Sequence, residues 1–415
     1  MLDNIKQRII IINDLYVAGG TEVQSQRELA NFTNNGHEAL YITFDSKLKY
    51  HESKMKNHIN LAKKSNLLNR YICNIKIYKE LKKIIEDFKP DFIHLNNTYL
   101  YAPTVYKAVK KYYCIQTLRD YAYVCPKSTC VMKDCSICNG MKYKNCIKEC
   151  LSYKPKEFVK FFAKYIALKH NKEMQLKSVN QFLSPSQKLT DYCNDHGYNT
   201  ICLNNPFDFN IINNFEKKEE NNKKIYLYYG MVARIKGIMQ LIEAFKKFSK
   251  EKEDVELHIV GRLKELTIQD LDCDNKIKYF KPLSYDKIME KLQSVYSVVV
   301  PSLWMENYPN TVLEGFATKC IVLGSNRGGM IEQINDNNRI FDVMNIDNVI
   351  QVLNYSYNLS EKEKKNIYEK QQKYLEEHNT LEDYYNKILL IVQKGKEKNE
   401  KNNFWFIVST TNTKH

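Results

Sequence analysis

Short apolar runs alternate along the chain with longer segments whose apolar positions recur at helical spacing. In the first half the apolar runs are residues 9–12, 39–44, 92–95 and 113–117. A second alternation of the same kind begins at residues 225–229. Apolar runs that alternate with helices are typical of βαβ units and a parallel sheet. The pattern therefore predicts an α/β protein with two doubly wound, Rossmann-like domains.

Polar segments mark the boundaries between these units. Residues 213–224 are almost entirely polar or charged and are predicted to be a linker. It separates an N-terminal domain, residues 1–212, from a C-terminal domain, residues 225–359. Residues 360–393 are predicted to be charged C-terminal helices, able to cross back to the first domain on an apolar stripe of helical period. Residues 394–415 are rich in Lys, Asn and Glu, which predicts disorder.

Composition narrows the class of protein. A chain of 415 residues with 43% apolar content can bury two domain cores. The first residues lack the apolar stretch of a secretory signal, and no run approaches the roughly 18–20 apolar residues that span a bilayer. Twelve cysteines without such a signal favour a reducing compartment. We expect a cytoplasmic protein that can lie at the inner face of the membrane.

The net charge of +15 is concentrated in one segment. Residues 142–177 contain ten lysines and three glutamates, and residues 156–177 have the period of a basic amphipathic helix with aromatic positions on one side. Residues 156–169 could dock on an anionic membrane, or the aromatic stripe could pack on its own domain. The patch is confined to one helix and no aromatic pattern for nucleic acid accompanies it, so no nucleic-acid partner is predicted.

A candidate anion site follows the apolar residues 298–300. Pro309 and Asn310 favour a helix start, which would present the backbone N–H groups of Thr311 and Val312 to a diphosphate. Glu306 precedes this helix, and Glu314 is expected in its first turn. Both carboxylates could accept hydrogen bonds from sugar or ribose hydroxyls. The alternative is a surface helix whose glutamate interacts with the helix dipole.

The wider pattern resembles glycosyltransferase family 4, a retaining family with the GT-B fold. Seven residues separate Glu306 from Glu314, as in the paired glutamates of that family, and residues 327–332 are similar to its Gly-Gly turn and trailing Glu. The other landmarks occur in the same order along the chain, at residues 19–22, 35–37, 90–94, 184–186, 229–230, 234–237, 257–261 and 301–302. The resemblance extends from about Ile9 to Leu390.

The resemblance implies roles for the donor site. Glu314 would bind the ribose hydroxyls and Glu306 would contact the transferred sugar. Lys236 and Arg234 would neutralise the diphosphate, so that no metal or other cofactor is needed for catalysis. The remaining donor-binding residues would be those of the glycine loop and the helix start: Gly19, Gly20, Asn310, Thr311 and Val312.

The same resemblance implies a reaction. A sugar would move from a nucleotide-sugar donor to a glycan or lipid-linked glycan acceptor, in the synthesis of cell-surface polysaccharide or glycoconjugate. No carboxylate is evident for double displacement, so we expect front-face attack with retention of configuration, the leaving phosphate taking the acceptor's proton.

The sequence departs from the family at three places. Arg119 and Asp120 stand where relatives often have His before Asp. A guanidinium is permanently charged and cannot act as a base, so Arg119 is expected to contact the sugar or an acceptor phosphate. With Glu306, these two residues form the predicted catalytic set. Met231 replaces the usual arginine after Gly230, and residues 319–320 replace a small Gly-x-Pro segment.

Six cysteines cluster within an insertion at about residues 125–150, and some family members have a similar insertion. Four of them could hold a structural zinc ion, with an iron–sulfur cluster as a lesser option and free or disulfide-linked thiols as the alternative. The six are Cys125, Cys130, Cys135, Cys138, Cys146 and Cys150.

Two other functions stay open at this point. A GT-B sugar-nucleotide epimerase would isomerise a donor without any acceptor. A basic, zinc-bearing nucleic-acid-binding protein would use the lysine-rich segment instead of the cleft.

Overall fold

The computed structural model describes residues 6–16, 19–49, 52, 54–61, 67–138, 146, 148, 155–209, 217–218 and 223–411. The side chains of residues 155–157, 160 and 399–411 are not part of that description. Most of the predicted linker, residues 213–216 and 219–222, lies outside the described residues, and so does Cys150.

Two parallel sheets carry the described chain, in agreement with the predicted fold class. In the first sheet the order is β3-β2-β1-β4-β5-β6-β7, and in the second it is β10-β9-β8-β11-β12-β13. The strands are β1 (Arg8–Asn13), β2 (Glu38–Thr43), β3 (His58–Asn60), β4 (Phe92–Leu95), β5 (Cys114–Thr117), β6 (Gln181–Ser184), β7 (Thr200–Cys202), β8 (Lys224–Tyr229), β9 (Val255–Val260), β10 (Ile277–Phe280), β11 (Ser297–Val300), β12 (Ile321–Ser325) and β13 (Ile340–Phe341).

Helices connect the strands and cover the sheets. They are α1 (Gly20–Asn34), α2 (Ile75–Phe88), α3 (Ala102–Val109), α4 (Pro155–Ser178), α5 (Gln187–Asp195), α6 (Ile238–Phe248), α7 (Tyr285–Leu292), α8 (Asn310–Ala317), α9 (Met330–Ile334), α10 (Ile346–Tyr357), α11 (Glu361–His378) and α12 (Leu381–Thr411). In the part of the chain that is described, no helix combines the length and apolarity needed to cross a bilayer.

The central strands are apolar on both faces because helices pack on each side of them. Residues 9–12 of β1 are fully buried isoleucines, and every residue of β11 is buried. The strand order reverses between β1 and β4 in the first sheet and between β8 and β11 in the second. Ligands of open parallel sheets bind outside the carboxyl ends of the strands at such reversals. The loops after these four strands are therefore where a site is expected.

The C-terminal helix α12 packs on the N-terminal domain. Tyr384, Tyr385, Ile388 and Val392 join the core cluster that contains Ile9 of β1. Residues 394–411, for which the composition predicts disorder, continue α12 as a helix to Thr411 in the structure. Lys and Glu are good helix formers, and Gln393 supports the continuation by donating to Glu397 one turn later.

Gly237 allows the C-terminal domain to close tightly at the start of α6. Its φ is +71°, and a Cβ atom there would lie 1.7 Å from the carbonyl oxygen of Pro301. We expect Gly237→Ala to lower the stability of this domain by about 2–4 kcal/mol, from backbone strain and overpacking together. Chemical unfolding followed by circular dichroism measures this.

Gly36→Ala is the matched control for that substitution. The φ of Gly36 is +84°, but nothing lies within 4 Å of the added Cβ. It should cost only the backbone strain of about 1–2 kcal/mol. Equal losses in the two variants would contradict the close contact with Pro301.

Candidate functional site in the interdomain cleft

A cavity of about 750 Å³ lies between the two domains at the carboxyl ends of their strands. The N-terminal domain contributes Gly19, Gly20 and Arg119 to its lining, and the C-terminal domain contributes Glu306 and Glu314. Residues more than 180 positions apart in the chain thus line one space. The cavity falls within the size range of ligand sites in proteins.

The start of α8 lines this cavity. Pro309 precedes the helix without a side-chain cap, and Asn310 and Thr311 line the cavity. Val312 differs from the expectation, because its N–H donates to the carbonyl of Pro309 and its side chain is fully buried. The first two residues of the helix are therefore those that can present N–H groups to an anion.

Glu314 lies in the second turn of α8, not in the first as expected. Its Oε2 accepts a hydrogen bond of 2.5 Å from the hydroxyl of Tyr229, the last residue of β8. Burial raises the pKa of the Glu314 carboxyl, and the hydrogen bond from Tyr229 and the charge of Arg27 oppose that rise. The carboxylate lines the cavity with lone pairs to spare for hydroxyl donors.

Glu306, which lines the cavity, forms an ion pair with Lys236. Lys236 Nζ lies 2.5 Å from Glu306 Oε1, and Ser302 also donates to that oxygen. Lys236 Nζ stands 3.9 Å from the ring centre of Trp304. Burial alone would raise the pKa of Glu306, but the charge and hydrogen bond of Lys236, together with hydrogen bonds such as that from Ser302, outweigh burial and lower it. Glu306 is therefore held as a carboxylate.

Arg234 does not reach the cavity, contrary to the expectation. Its side chain is 59% exposed and its Nη2 lies 3.6 Å from Asp270. Arg234 and Lys236 belong to one short 3-10 turn, on which residues two apart point in different directions. The turn sends Lys236 towards Glu306 and Arg234 towards solvent.

Arg119 and Asp120 face two different cavities. Arg119 lines the cleft and is only 6% exposed; its Nε donates to Asn96 and its Nη1 to Asn205. Asp120 is extended and lines a separate cavity, where it accepts from the hydroxyl of Tyr99. Successive side chains of an extended backbone point to opposite sides. The predicted catalytic pair is thus divided, and Asp120 is not in the cleft.

The glycine loop and the Gly-Gly turn bring backbone close to this site. A Cβ on Gly20 would lie 3.5 Å from the side chain of Asn310 across the cleft. A Cβ on Gly328, where φ is +66°, would lie 1.9 Å from the carbonyl oxygen of Glu306. The N–H of Gly329 donates to that same oxygen at 2.7 Å. At Gly328 and Gly329, the absence of a side chain lets the backbone pack tightly against the loop that carries Glu306.

Glu332, the trailing glutamate of the Gly-Gly segment, connects the two domains. Its two oxygens accept from the N–H groups of Gln187 and Lys188, at 2.8 and 2.6 Å, at the start of α5. A carboxylate at a helix N-terminus is favoured by the helix dipole. This contact holds the C-terminal domain against the N-terminal one beside the cleft.

The sequence analysis assigned no role in the site to Arg27, Tyr229 or Tyr285, which all line the cleft. Arg27 lies seven residues after Gly20 on α1, and residues two helical turns apart share a face, so the spacing carried that signal. Tyr229 ends β8, where parallel strands present ligand-binding residues. No local pattern marks Tyr285.

The described cysteines do not form a metal centre by themselves. In the described part of the chain no three His, Cys, Asp or Glu side chains could hold a metal ion together. Cys150 lies outside the described residues, so the structural zinc stays a prediction. A hydrogen bond from Cys130 lowers the pKa of the Cys125 thiol to about 6.

Helix α4 presents part of its aromatic stripe to solvent. Phe158 and Phe162 are exposed and stack on each other, and Val159 and Ile166 are exposed as well. Lys164, Ala167 and Leu168 of the same helix line the cavity that contains Asp120. The stripe is therefore only partly packed on its own domain.

Comparison with known proteins relates this cleft to a family. The model of the family Glycosyl transferases group 1 matches residues 210–374. A relative, an uncharacterized 42.6 kDa protein in the cps region of Klebsiella pneumoniae, is 24% identical over 358 residues, which are 78% of this chain and 86% of the relative. These matches confirm the resemblance seen in the sequence.

Solved structures confirm the GT-B fold. A glycosyltransferase from Rickettsia africae aligns with a TM-score of 0.67 at 18% identity, over 94% of this chain and 99% of its own. Anabaena Alr3699/HepE in complex with UDP and glucose aligns with a TM-score of 0.68 at 13% identity, over 94% of this chain and 100% of its own.

Proposed function

We propose, on the premise that residues 210–374 match the group 1 glycosyl transferases, that this chain transfers a sugar from a nucleotide-sugar donor with retention of configuration. The observation that carries the proposal is the cleft, where an open helix start, a hydroxyl-bonded Glu314 and a lysine-paired Glu306 line one cavity. The acceptor would be a glycan or lipid-linked glycan in cell-surface polysaccharide or glycoconjugate synthesis. The relative from a cps region supports that setting.

The geometry supports one orientation of the donor. Glu314 would accept from the ribose hydroxyls, and the N–H groups of Asn310 and Thr311 would receive the diphosphate. The transferred sugar would then lie towards Glu306 and Arg119. Anabaena Alr3699/HepE, which shares the fold, has a crystal structure in complex with UDP and glucose, and this supports UDP as the first nucleotide to test.

Cations of the protein would take the place of a catalytic metal. Arg27 and Arg119 line the cavity, and Lys236 reaches it through Glu306. The three hydrogen bonds of the Arg119 guanidinium go to the neutral acceptors Asn96, Asn205 and Tyr384. Its positive charge would therefore act on the sugar or on an acceptor phosphate.

The proposed chemistry occurs on one face of the sugar. The bond from the anomeric carbon to the leaving phosphate breaks, the acceptor oxygen bonds to that carbon on the same face, and the acceptor's proton goes to the leaving phosphate. The ionised Glu306 would stabilise the positive charge that develops at the sugar. The anomeric configuration of the product, read by NMR, tests retention, and an inverted product contradicts it.

Membrane docking remains part of the proposal for localisation. The exposed residues Phe158, Val159, Phe162 and Ile166 would enter an anionic membrane at its inner face, and Lys169 of the same helix is exposed as well. Co-sedimentation with anionic vesicles checks this, and equal sedimentation of Phe162→Ser would count against it.

Nucleotide binding is the direct test of the proposed function. UDP, GDP, ADP and CMP are added separately, without metal, and the thermal midpoint is measured. We expect one nucleotide to raise the midpoint by several degrees in the wild type and not in Glu314→Ala, because ligands that bind the native state stabilise it.

Glu243→Ala is the control for that loss. Glu243 lies on α6 and is paired with Lys247 on the exposed surface, away from the cleft. It should respond to the nucleotide as the wild type does. No shift with any nucleotide in the wild type would overturn the proposed function.

A further inference from the structure

The N-terminal domain contains a second cavity that the donor site does not use. Its volume is about 340 Å³, and it lies at the carboxyl ends of β1, β4 and β5 beneath α4. Asp14, Asn97 and Asp120 line it from the strands, Glu22 from α1 and Asn171 from α4. We call it the β1–β4 chamber.

Three buried oxygens of this chamber lack a hydrogen-bond partner within the described structure. They are Oδ1 of Asp14, Oδ1 of Asn97 and Oδ1 of Asn171. Asp14 is 4% exposed, and its other oxygen accepts from the N–H groups of Tyr99 and Leu100. The amide nitrogen of Asn171 donates to the carbonyl of Arg70, which identifies its remaining atom as the oxygen. Burying such acceptors without a donor is costly, so a ligand or solvent must supply one.

The charged residues of the chamber indicate what kind of molecule could supply the missing hydrogen-bond donors. Glu22 and Asp120 place two more carboxylates beside Asp14, and the cations in the lining are Arg70 and Lys164. Burial raises the pKa of Asp14 to about 7, with the charge of Arg70 opposing the rise. An anionic ligand would meet carboxylates and unpaired acceptor oxygens. A neutral molecule with several hydroxyl groups supplies the missing donors and adds no further charge.

The chamber adjoins the cleft through consecutive residues. Thr21 lines the cleft and Glu22 the chamber, and Arg119 and Asp120 are divided in the same way. Met305, next to Glu306, packs in the same core cluster as Tyr121, Tyr123 and Cys125, and Cys125 lines the chamber. The chamber and the cleft are therefore separated by two shared stretches of backbone, at residues 21–22 and 119–120.

We propose that the β1–β4 chamber binds a neutral saccharide through its hydroxyl groups, with Asp14 Oδ1 and Asn171 Oδ1 as two of the acceptors. Resting on the proposed function, this saccharide is the end of the acceptor that receives the sugar. The proposal thus excludes an acceptor recognised in the chamber through a phosphate.

The test compares two isosteric substitutions of buried aspartates. Asp14→Asn keeps an oxygen for Tyr99 and Leu100 but turns the unpaired acceptor into an NH2 donor. Asp45→Asn is the control, since Asp45 is 3% exposed, accepts from the N–H groups of Tyr16 and Lys47, and lines neither cavity. Asn171→Ala removes a second acceptor from the exterior helix, in case Asp14→Asn does not fold.

The probes are glucose, galactose and N-acetylglucosamine, with glucose 6-phosphate as the anionic counterpart. Binding is measured by saturation-transfer NMR on the full chain. Alkylation of Cys125, read by mass spectrometry, localises the ligand, because a bound sugar should slow it. We expect at least one neutral sugar to bind, with at least about tenfold weaker binding in Asp14→Asn and unchanged binding in Asp45→Asn.

Several results would overturn the inference. They are binding of none of the neutral sugars, binding of glucose 6-phosphate alone, or equal affinity in wild type, Asp14→Asn and Asn171→Ala. The outcome is separate from that of the proposed function, because nucleotide binding depends on Glu314 and not on Asp14. If a nucleotide binds and no sugar does, the proposed function stands and the saccharide site in the chamber is refuted. If a sugar binds in the chamber and no nucleotide binds, the saccharide site stands, but the proposed function and the acceptor role of that saccharide are refuted.

Discussion

Glu306→Gln should lower the rate of sugar transfer by about 10²–10³-fold and change the affinity for the nucleotide by less than about threefold. The carboxylate is held ionised by Lys236 and Ser302, and its charge is available to the positive charge that develops in the transition state. An amide of the same shape keeps a hydrogen-bond acceptor but loses that charge. Steady-state transfer rates and nucleotide titration measure the two effects separately.

Glu314→Gln is the comparison variant for that experiment, because it should affect the nucleotide affinity more than the transfer rate. Glu314 accepts from Tyr229 and is the proposed acceptor for the ribose hydroxyls, so Glu314→Gln should weaken nucleotide binding before it lowers the transfer rate. A Glu306→Gln variant that keeps more than about a tenth of the wild-type rate would contradict the role of Glu306.

Lys236→Met should reduce transfer by about 100-fold near neutral pH and give the remaining activity a new acid limb. In the wild type the pKa of Glu306 lies below the ordinary value for a glutamate. The carboxylate is therefore already ionised at any pH above the ordinary value. Removing Lys236 takes away the two largest effects that oppose burial, so the pKa of Glu306 should rise. The rate should then fall as the pH is lowered through this raised pKa.

The measurement for Lys236 is the dependence of kcat on pH between about 4 and 8, with Lys236→Arg as the matched control. Arginine preserves the positive charge beside Glu306, so its profile should lack the new acid limb even if its rate is reduced. Superimposable profiles for the wild type and Lys236→Met would show that the ion pair does not control the ionisation of Glu306.

Much of the fold follows from local patterns. The isoleucine run of β1 and the buried valines of β11 have no polar alternation, and strands of that kind must be covered on both faces. The sequence pattern predicted that Glu306 precedes α8 and that Glu314 lies within this helix. Both residues line the cleft. These features depend on residues that are close together in the chain, so they can be predicted from the sequence.

Other parts of the site depend on how distant surfaces meet. Arg119 and Asp120 are adjacent in the chain, yet an extended backbone directs them into different cavities. Arg234 matched a family landmark but lies in a turn that sends its side chain to Asp270. Arg27 shares a face of α1 with Gly20, but this face lines the cleft only because α1 lies opposite α8 across the domain boundary. Periodicity defines the faces of an element, and tertiary packing decides which faces oppose each other.

The packing of α12 on the N-terminal domain determines when that domain can finish folding during translation. The core around Ile9 is completed by Ile388 and Val392, which leave the ribosome more than 370 residues later. At about 5–20 residues per second, translation of that stretch takes roughly 20–75 seconds. During this time the apolar surface that α12 will cover is open to chaperones and to other nascent chains. The first domain synthesised is therefore among the last parts of the protein to become fully native.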